Sequence, residues 1–421
     1  MSTNANYTIV HGIGELVTGP ADREGERGPE PPDEPVLVRE EGAAVVASGG
    51  KVVATGPSDE LVREYPPENA ATAIDAEGNP VLPGFVDPHT HAVFAGDRSD
   101  EFEAKLRGKS YQEILAEGGG ILRTVRAVRE AEEDDLVASL REHLDVMLAH
   151  GTTTVEVKSG YGLESETELE LLSAIERAGA GHPVDVVPTF MGAHAVPEGS
   201  EADAYVERVV EDQLPAVEKQ GIAEFCDVFC EEGAFSVEQS RRVLEAGIDH
   251  GLTPKIHADE FTTIGGTDLA ADLGAASADH LLQSESSDVE RLLSAGVTPV
   301  VLPGTAFGLG GEYPDLEPYR RRGTVPAVGT DFNPNCYARS MGFSATLACV
   351  GMGMTPAEAV VGITSRAAGA IDRPERGIIE PGAPADLVVL GAPSYRHLAY
   401  DYDGNAVDRV LKGGKLVVGG G

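Results

Sequence analysis

The chain has 421 residues, 41% of them apolar and 5% aromatic, with 70 acidic against 32 basic side chains and a formal net charge of −38. That is apolar mass enough for one large core of Ala, Val, Leu and Ile plus a satellite domain, while the charge disfavours nucleic-acid phosphates and anionic membranes as partners, because nothing on such a surface offsets the like-charge repulsion. The acidic residues run along the whole length rather than gathering in a tail, which reads as a solvated surface suited to high salt.

In chain order, the amino terminus "MSTNANYTIV" lacks a basic stretch followed by an apolar one, and no apolar run approaches the roughly 20 residues that a bilayer requires. A soluble, unprocessed cytoplasmic protein is expected. Residues 1–82 carry short strand-like runs, "NYTIV", "PVLV", "AAVVA", "KVVATG" and "ATAIDAEG", punctuated by Gly, Pro and Asp and read as antiparallel. The charged, Pro-rich "ADREGERGPEPPDEP" between the first two is expected to be an exposed loop.

From Leu82 the texture changes. Short apolar runs alternate with helical periodicity, as in "EDDLVASLREHLDVMLAHG" over 133–151, and this alternation predicts parallel βα units. Eight candidate strands follow: "GFVDPHTH", "TTTVEVKSGYG", "VDVVPTFMGAHA", "FCDVFCEEGAF", "TPKIHADEF", "ASADHLL", "TPVVLPG" and "AVGTDFNP". The count is that of a (β/α)8 TIM-type barrel. After "TPAEAVVGITSRAAGAI" short strands return in "GIIEPGAPADLVVLG" and "VDRVLKGGKLVVGG". The expected α/β architecture is therefore a barrel over 83–376 inserted into a small β-sandwich domain formed from both termini, 1–82 and 377–421.

In a barrel of this type chemistry sits at the carboxyl ends of the strands. His89 and His91, at positions i and i+2, share one face at the end of the first strand, so both imidazoles can reach one cation. Alone the pair is a weak signal and reads more readily as polar residues in a turn. His257 in "KIHADE", His280 in "SADHLL" and Asp331 in "VGTDFNP" also end apolar runs, and five buried polar groups would otherwise each need a partner. Together they point to a metal. The cysteines Cys226, Cys230, Cys336 and Cys349 are too few and too unevenly spaced for a disulfide framework; the pair in "CDVFC" has no second pair or histidine at zinc-finger spacing and reads as core packing. "EGGGIL" lacks the G-K-[ST] ending of a phosphate loop and reads as part of a lid.

The motifs "PGFVDPHTHAVFAGDRSDEF", "GKSYQEIL", "GGGILRTVRA", "VEVKSGYGL", "HADEF", "ADHL" and "GTDFNPN" resemble those of the amidohydrolase superfamily over nearly the entire chain. Within it they are similar to the branch that opens a ring in histidine degradation. The resemblance implies hydrolysis of the cyclic amide C–N bond of 4-imidazolone-5-propanoate to N-formimidoyl-L-glutamate by a homodimer. It implies one metal ion, zinc or iron, held by His89, His91, His257 and Asp331, with Asp331 also able to take a proton from water. It gives Glu260 a proton to shuttle to the departing ring nitrogen and His280 the attacked carbonyl to polarise.

Arg98, in the loop beyond the two histidines, would meet a propionate with its guanidinium fork, where position alone suggests a surface ion pair. Tyr111, Tyr161, His194 and Asn333 are implied as further contacts to the substrate. The chain departs from the family at Asn335 and Cys336, where Gly and Ser or Thr are usual. Asn tolerates the left-handed backbone a Gly would supply, but a thiol is the poorer donor. Lys158 follows the second strand, away from the position of a metal-bridging carboxylated lysine, and reads as structural. Two other readings use the same residues: a deaminase of a cytosine- or guanine-type ring, whose neutral substrate would give Arg98 no carboxylate, and a catalytically dead scaffold.

Overall fold

The computed structural model describes residues 5–20, 37–109, 113–114 and 117–419. The charged Pro-rich segment and Tyr111 lie outside the described residues. Eight strands from the two chain ends form one mixed sheet: β1 (Ala5–Pro20), β2 (Leu37–Ser48), β3 (Lys51–Pro57), β4 (Ala70–Asp75), β5 (Val81–Pro83), and, from the other end, β14 (Leu387–Leu390), β15 (Val407–Lys412) and β16 (Lys415–Val418). Their order is β16-β15-β14-β5-β1-β2-β3, with β4 also pairing with β1. The small β-domain thus draws on both termini, β14 meeting β5 through Leu387–Pro83 and Val389–Val81.

Two details differ from the sequence reading. Leu37 and Val38, the described part of "PVLV", fall in one strand with "AAVVA", because β1 continues past Gly12, in the left-handed region at φ +64°, and pairs with β2 from Leu37 to Ala47. The pairings of β1 with β4 and β5 are parallel. Alternating residues Ile13, Val45, Leu387, Val389 and Leu411 bury one face of this sheet in its own core.

The second sheet runs through β6 (Phe85–Asp87), β7 (Thr152–Lys158), β8 (Asp185–Ala193), β9 (Phe225–Cys230), β10 (Thr253–Ala258), β11 (Ser277–His280), β12 (Thr298–Val301) and β13 (Ala327–Val328), each parallel to its neighbour. A parallel bridge between Thr90 and Phe332, with His91 N donating to Phe332 O at 2.9 Å and Asp331 N to His89 O at 3.1 Å, closes first strand against last. The product is an eight-stranded barrel. Helices between strands bury one stripe each: the helix Glu133–Ala149 opens on three acidic residues, favourable at a helix amino end, and turns Leu136, Leu140, Leu144 and Met147 inward. Among the described residues no helix is long and apolar enough to cross a membrane.

Candidate metal centre

Local backbone geometry puts the polar residues where the strands run out. His280 and Asp331 are in the left-handed region at φ +81° and +52°, as are Asp259 and Leu281. Non-glycine residues take this conformation at a cost and keep it only where surrounding structure imposes it, as at functional sites. Here they lie where β10, β11 and β13 end, and His89, His91, His257, His280 and Asp331 are all buried.

Their atoms converge. His89 Nε2 lies 3.6 Å and His91 Nε2 3.7 Å from Asp331 Oδ1, and His91 Nε2 is 3.3 Å from His257 Nε2. Potential ligand atoms of His89, His257 and His280 also lie within 4.8 Å of one another. The other nitrogens explain the arrangement: His89 Nδ1 meets Asp279 Oδ2 at 2.6 Å and His257 Nδ1 meets Asp227 Oδ1 at 3.0 Å. With each proton on the nitrogen facing a carboxylate, both Nε2 atoms present lone pairs inward, and His89 Nε2 is buried without a hydrogen-bond partner among the described residues. Facing lone pairs at such distances repel unless a cation sits between them. Ligands at 2.0–2.2 Å on a tetrahedron stand roughly 3.4 Å apart, so the donor set fits one small divalent ion.

Charge agrees with that fit. Burial, with the neighbouring cations and imidazoles, pushes His89, His91 and His280 well below the ordinary histidine range, so all three are neutral donors. Burial raises Asp331 and drives Glu260 well above the usual carboxylate range, the latter with help from Asp331 and Glu231. Asp331 accepts from Thr305 Oγ1 at 2.5 Å and from Asn333 Nδ2 at 3.0 Å, which fixes both carboxylate oxygens.

The surrounding candidates occupy the loops beyond. Glu260 Oε2 is 3.8 Å from His280 Nε2, and its loop is tied down by Glu231, which accepts from Phe261 N at 2.9 Å and from the Thr262 hydroxyl. His194 stacks on His91 with centroids 4.7 Å apart, its Nδ1 held by Gly160 O at 3.0 Å, and Tyr161 lies 5.3 Å from His194 and 6.0 Å from His91. Glu168 holds the Tyr161 loop by accepting from the backbone N–H of Gly160, Gly162 and Leu163 at 2.9, 2.7 and 2.8 Å.

Arg98 is only 7% exposed, so it is not a surface ion pair. Its Nε donates to Glu101 Oε2 at 2.8 Å, while Nη2 is buried without a partner among the described residues. Asn333 Oδ1 accepts from the backbone of Asn335 and Cys336 at 2.7 and 3.0 Å, and Asn335 Oδ1 accepts from Lys105 Nζ at 2.9 Å. The Cys336 thiol is turned to Thr330 O at 3.6 Å, so its side-chain donor is taken within the protein.

Sequence reasoning missed Asp227, Asp279, Glu231 and Glu168. The first two had a signal: a carboxylate inside an otherwise apolar strand, "FCDVFC" or "SADHLL", must find a buried partner. The cysteines of "CDVFC" are buried and free, and Gly120 of "EGGGIL" donates to Glu101 Oε1 at 3.0 Å, next to Arg98.

Fold and site together define a metal-dependent hydrolase of the amidohydrolase class. The Amidohydrolase family model matches residues 93–418. Among solved structures the fold is similar to a triazine hydrolase variant, with a TM-score of 0.75 at 16% identity over 99% of this chain and 95% of that one. It is also similar to an adenosine deaminase from Xanthomonas campestris with bound zinc, with a TM-score of 0.72 at 18% identity over 98% and 93%. Curated relatives are nearer in sequence: a Haloarcula marismortui protein named Imidazolonepropionase is 63% identical over 97% of this chain and 95% of its own length. A namesake from Halobacterium salinarum is 57% identical over 98% of both, and one from Geobacillus kaustophilus 47% over 90% and 91%. The chain belongs to the imidazolonepropionase family of amidohydrolases.

Proposed function

We propose that this enzyme hydrolyses the cyclic amide C–N bond of 4-imidazolone-5-propanoate to give N-formimidoyl-L-glutamate. The observation that carries the reading is a buried His–Asp cluster with a buried, half-satisfied guanidinium one loop beyond it, in a chain 63% identical to a protein named Imidazolonepropionase. One ion, zinc or iron, held by His89, His91, His257 and Asp331, supplies a Lewis acid and lowers the pKa of water at the site when bound. Asp331, its pKa raised by burial, takes the proton of the attacking water. His280 directs a donor at the carbonyl oxygen as negative charge develops there. Glu260, kept protonated above the usual range by burial, gives its proton to the departing ring nitrogen and is restored by the one taken from water.

Arg98 Nη2 pairs with the propionate, its Nε already fixed by Glu101. Tyr161 and His194 flank the ring, with Tyr111 as a further contact, and Asn333, Asn335 and Cys336 shape the opposite wall, the last two through their backbone. The same reading includes a homodimer in the cytoplasm of a cell at high internal salt, and division of the chain near residues 82 and 376 into small domain and barrel.

Product analysis tests it. Incubation of the metal-loaded enzyme with freshly prepared 4-imidazolone-5-propanoate in concentrated salt is expected to yield N-formimidoyl-L-glutamate, with no ammonia. Release of ammonia from a cytosine- or guanine-type ring, with the imidazolone left untouched, would replace this assignment by a deaminase.

A further inference from the structure

Beneath the cluster lies buried charge that the proposed chemistry does not use. Lys158, at the end of β7, is fully buried, with Nζ 2.7 Å from Asp227 Oδ2, 2.7 Å from Glu156 Oε2 and 3.8 Å from Asp279 Oδ2. Asp227 and Asp279 are the carboxylates that hold His257 Nδ1 and His89 Nδ1. One ammonium group is therefore hydrogen-bonded to the support of one imidazole and within ion-pair range of the support of another, carried on a different strand. Without it, the other lysine beside these three buried carboxylates among the described residues is Lys255, which lies 3.0 Å from Glu156 Oε1 and otherwise bonds to the carbonyls of Pro88 and Ala370. Unscreened like charges in such an interior turn away from one another.

We propose that Lys158 is a positioning residue for the metal centre: its ammonium group holds the Asp227 and Asp279 carboxylates in the orientations that present Nε2 of His257 and His89 to one ion, so that two ligands are set as a unit. The inference rests on the proposed ligand assignment. A buried lysine serving the fold alone would alter stability and leave ion affinity as it was. Lys412 gives the comparison, because it too bridges carboxylates, Asp185 at 2.7 Å and Asp386 at 2.8 Å, but beside the small β-domain.

The test titrates chelator-stripped full-length protein with zinc against a chromophoric chelator. Lys158→Met is expected to weaken zinc binding by about 10- to 100-fold, the range seen when groups supporting ligands are removed. Lys412→Met is expected to lower the unfolding temperature with the native zinc Kd. As a second measurement, retaining the lysine, Asp227→Asn and Asp279→Asn are made singly and together. Because both carboxylates share one ammonium, the combined weakening is expected to depart from the product of the single effects by about threefold or more. A folded Lys158→Met protein with the native Kd overturns the inference while leaving the ligand assignment standing, and so do strictly multiplicative Asn effects where Lys158→Met does not fold. Native protein that binds no zinc overturns both.

Discussion

At Arg98, Nε is committed to Glu101 while Nη2 keeps no partner among the described residues. On the proposed reading that nitrogen waits for a carboxylate, and a charge-assisted hydrogen bond is worth about 1.5–3 kcal/mol. Arg98→Ala should therefore raise KM roughly 10- to 100-fold with a smaller change in kcat; an unchanged KM would mean that the substrate has no acid tail. Asp331→Asn removes a proton acceptor whose geometry Thr305 and Asn333 fix, and should lower kcat by at least about a hundredfold, read in single-turnover assays at matched metal content. His89, His91, His257, His280 and Asp331 were legible in the sequence because each is a polar residue ending an apolar run. Asp227 and Asp279 were not read, since their partners lie on other strands, 30 and 190 positions away. At Arg98 position alone suggests a surface ion pair, because its neighbours in sequence are acidic, whereas its burial depends on the helix Ser99–Leu106 and on Gly120 packing about Glu101.

Loops over the barrel mouth hold the site by backbone contacts that constrain individual residues. Gly160, at φ +105°, would place an added Cβ 2.9 Å from both His194 Nδ1 and Met191 O. Gly160→Ala must then displace the His194 ring from His91, and an unfolding temperature lowered by the equivalent of about 1–3 kcal/mol is expected. Glu168→Gln tests the same loop differently, because a carboxamide cannot accept from three N–H groups with both its terminal atoms; a loss of about 1–3 kcal/mol in denaturant unfolding is expected. At this scale the eight barrel strands could be read from short apolar runs alternating with helical periodicity, because a parallel strand is buried on both faces and is followed by a crossover helix. The terminal sheet was read less well. Its strands alternate, and whether β1 pairs parallel or antiparallel with β4 and β5 depends on how the chain returns, which no local pattern encodes.

For the whole molecule the governing quantities are its charge and the ion its centre would hold. A net charge of −38 repels itself unless screened, so the unfolding temperature should climb steadily from low to multimolar salt; a flat profile would remove the high-salt reading. The union of both termini in one sheet was legible because their textures match on either side of the barrel. Lys412, linking β15 to Asp185 and Thr153 at the foot of the barrel, was invisible because only the assembled fold brings it there. The central claim is that one ion held by His89, His91, His257 and Asp331 drives opening of an imidazolone ring, and its most direct test is turnover of 4-imidazolone-5-propanoate at increasing ratios of zinc or ferrous iron to stripped enzyme. Activity should rise linearly and break sharply at one ion per chain; ring opening at the spontaneous rate across the whole titration would contradict it.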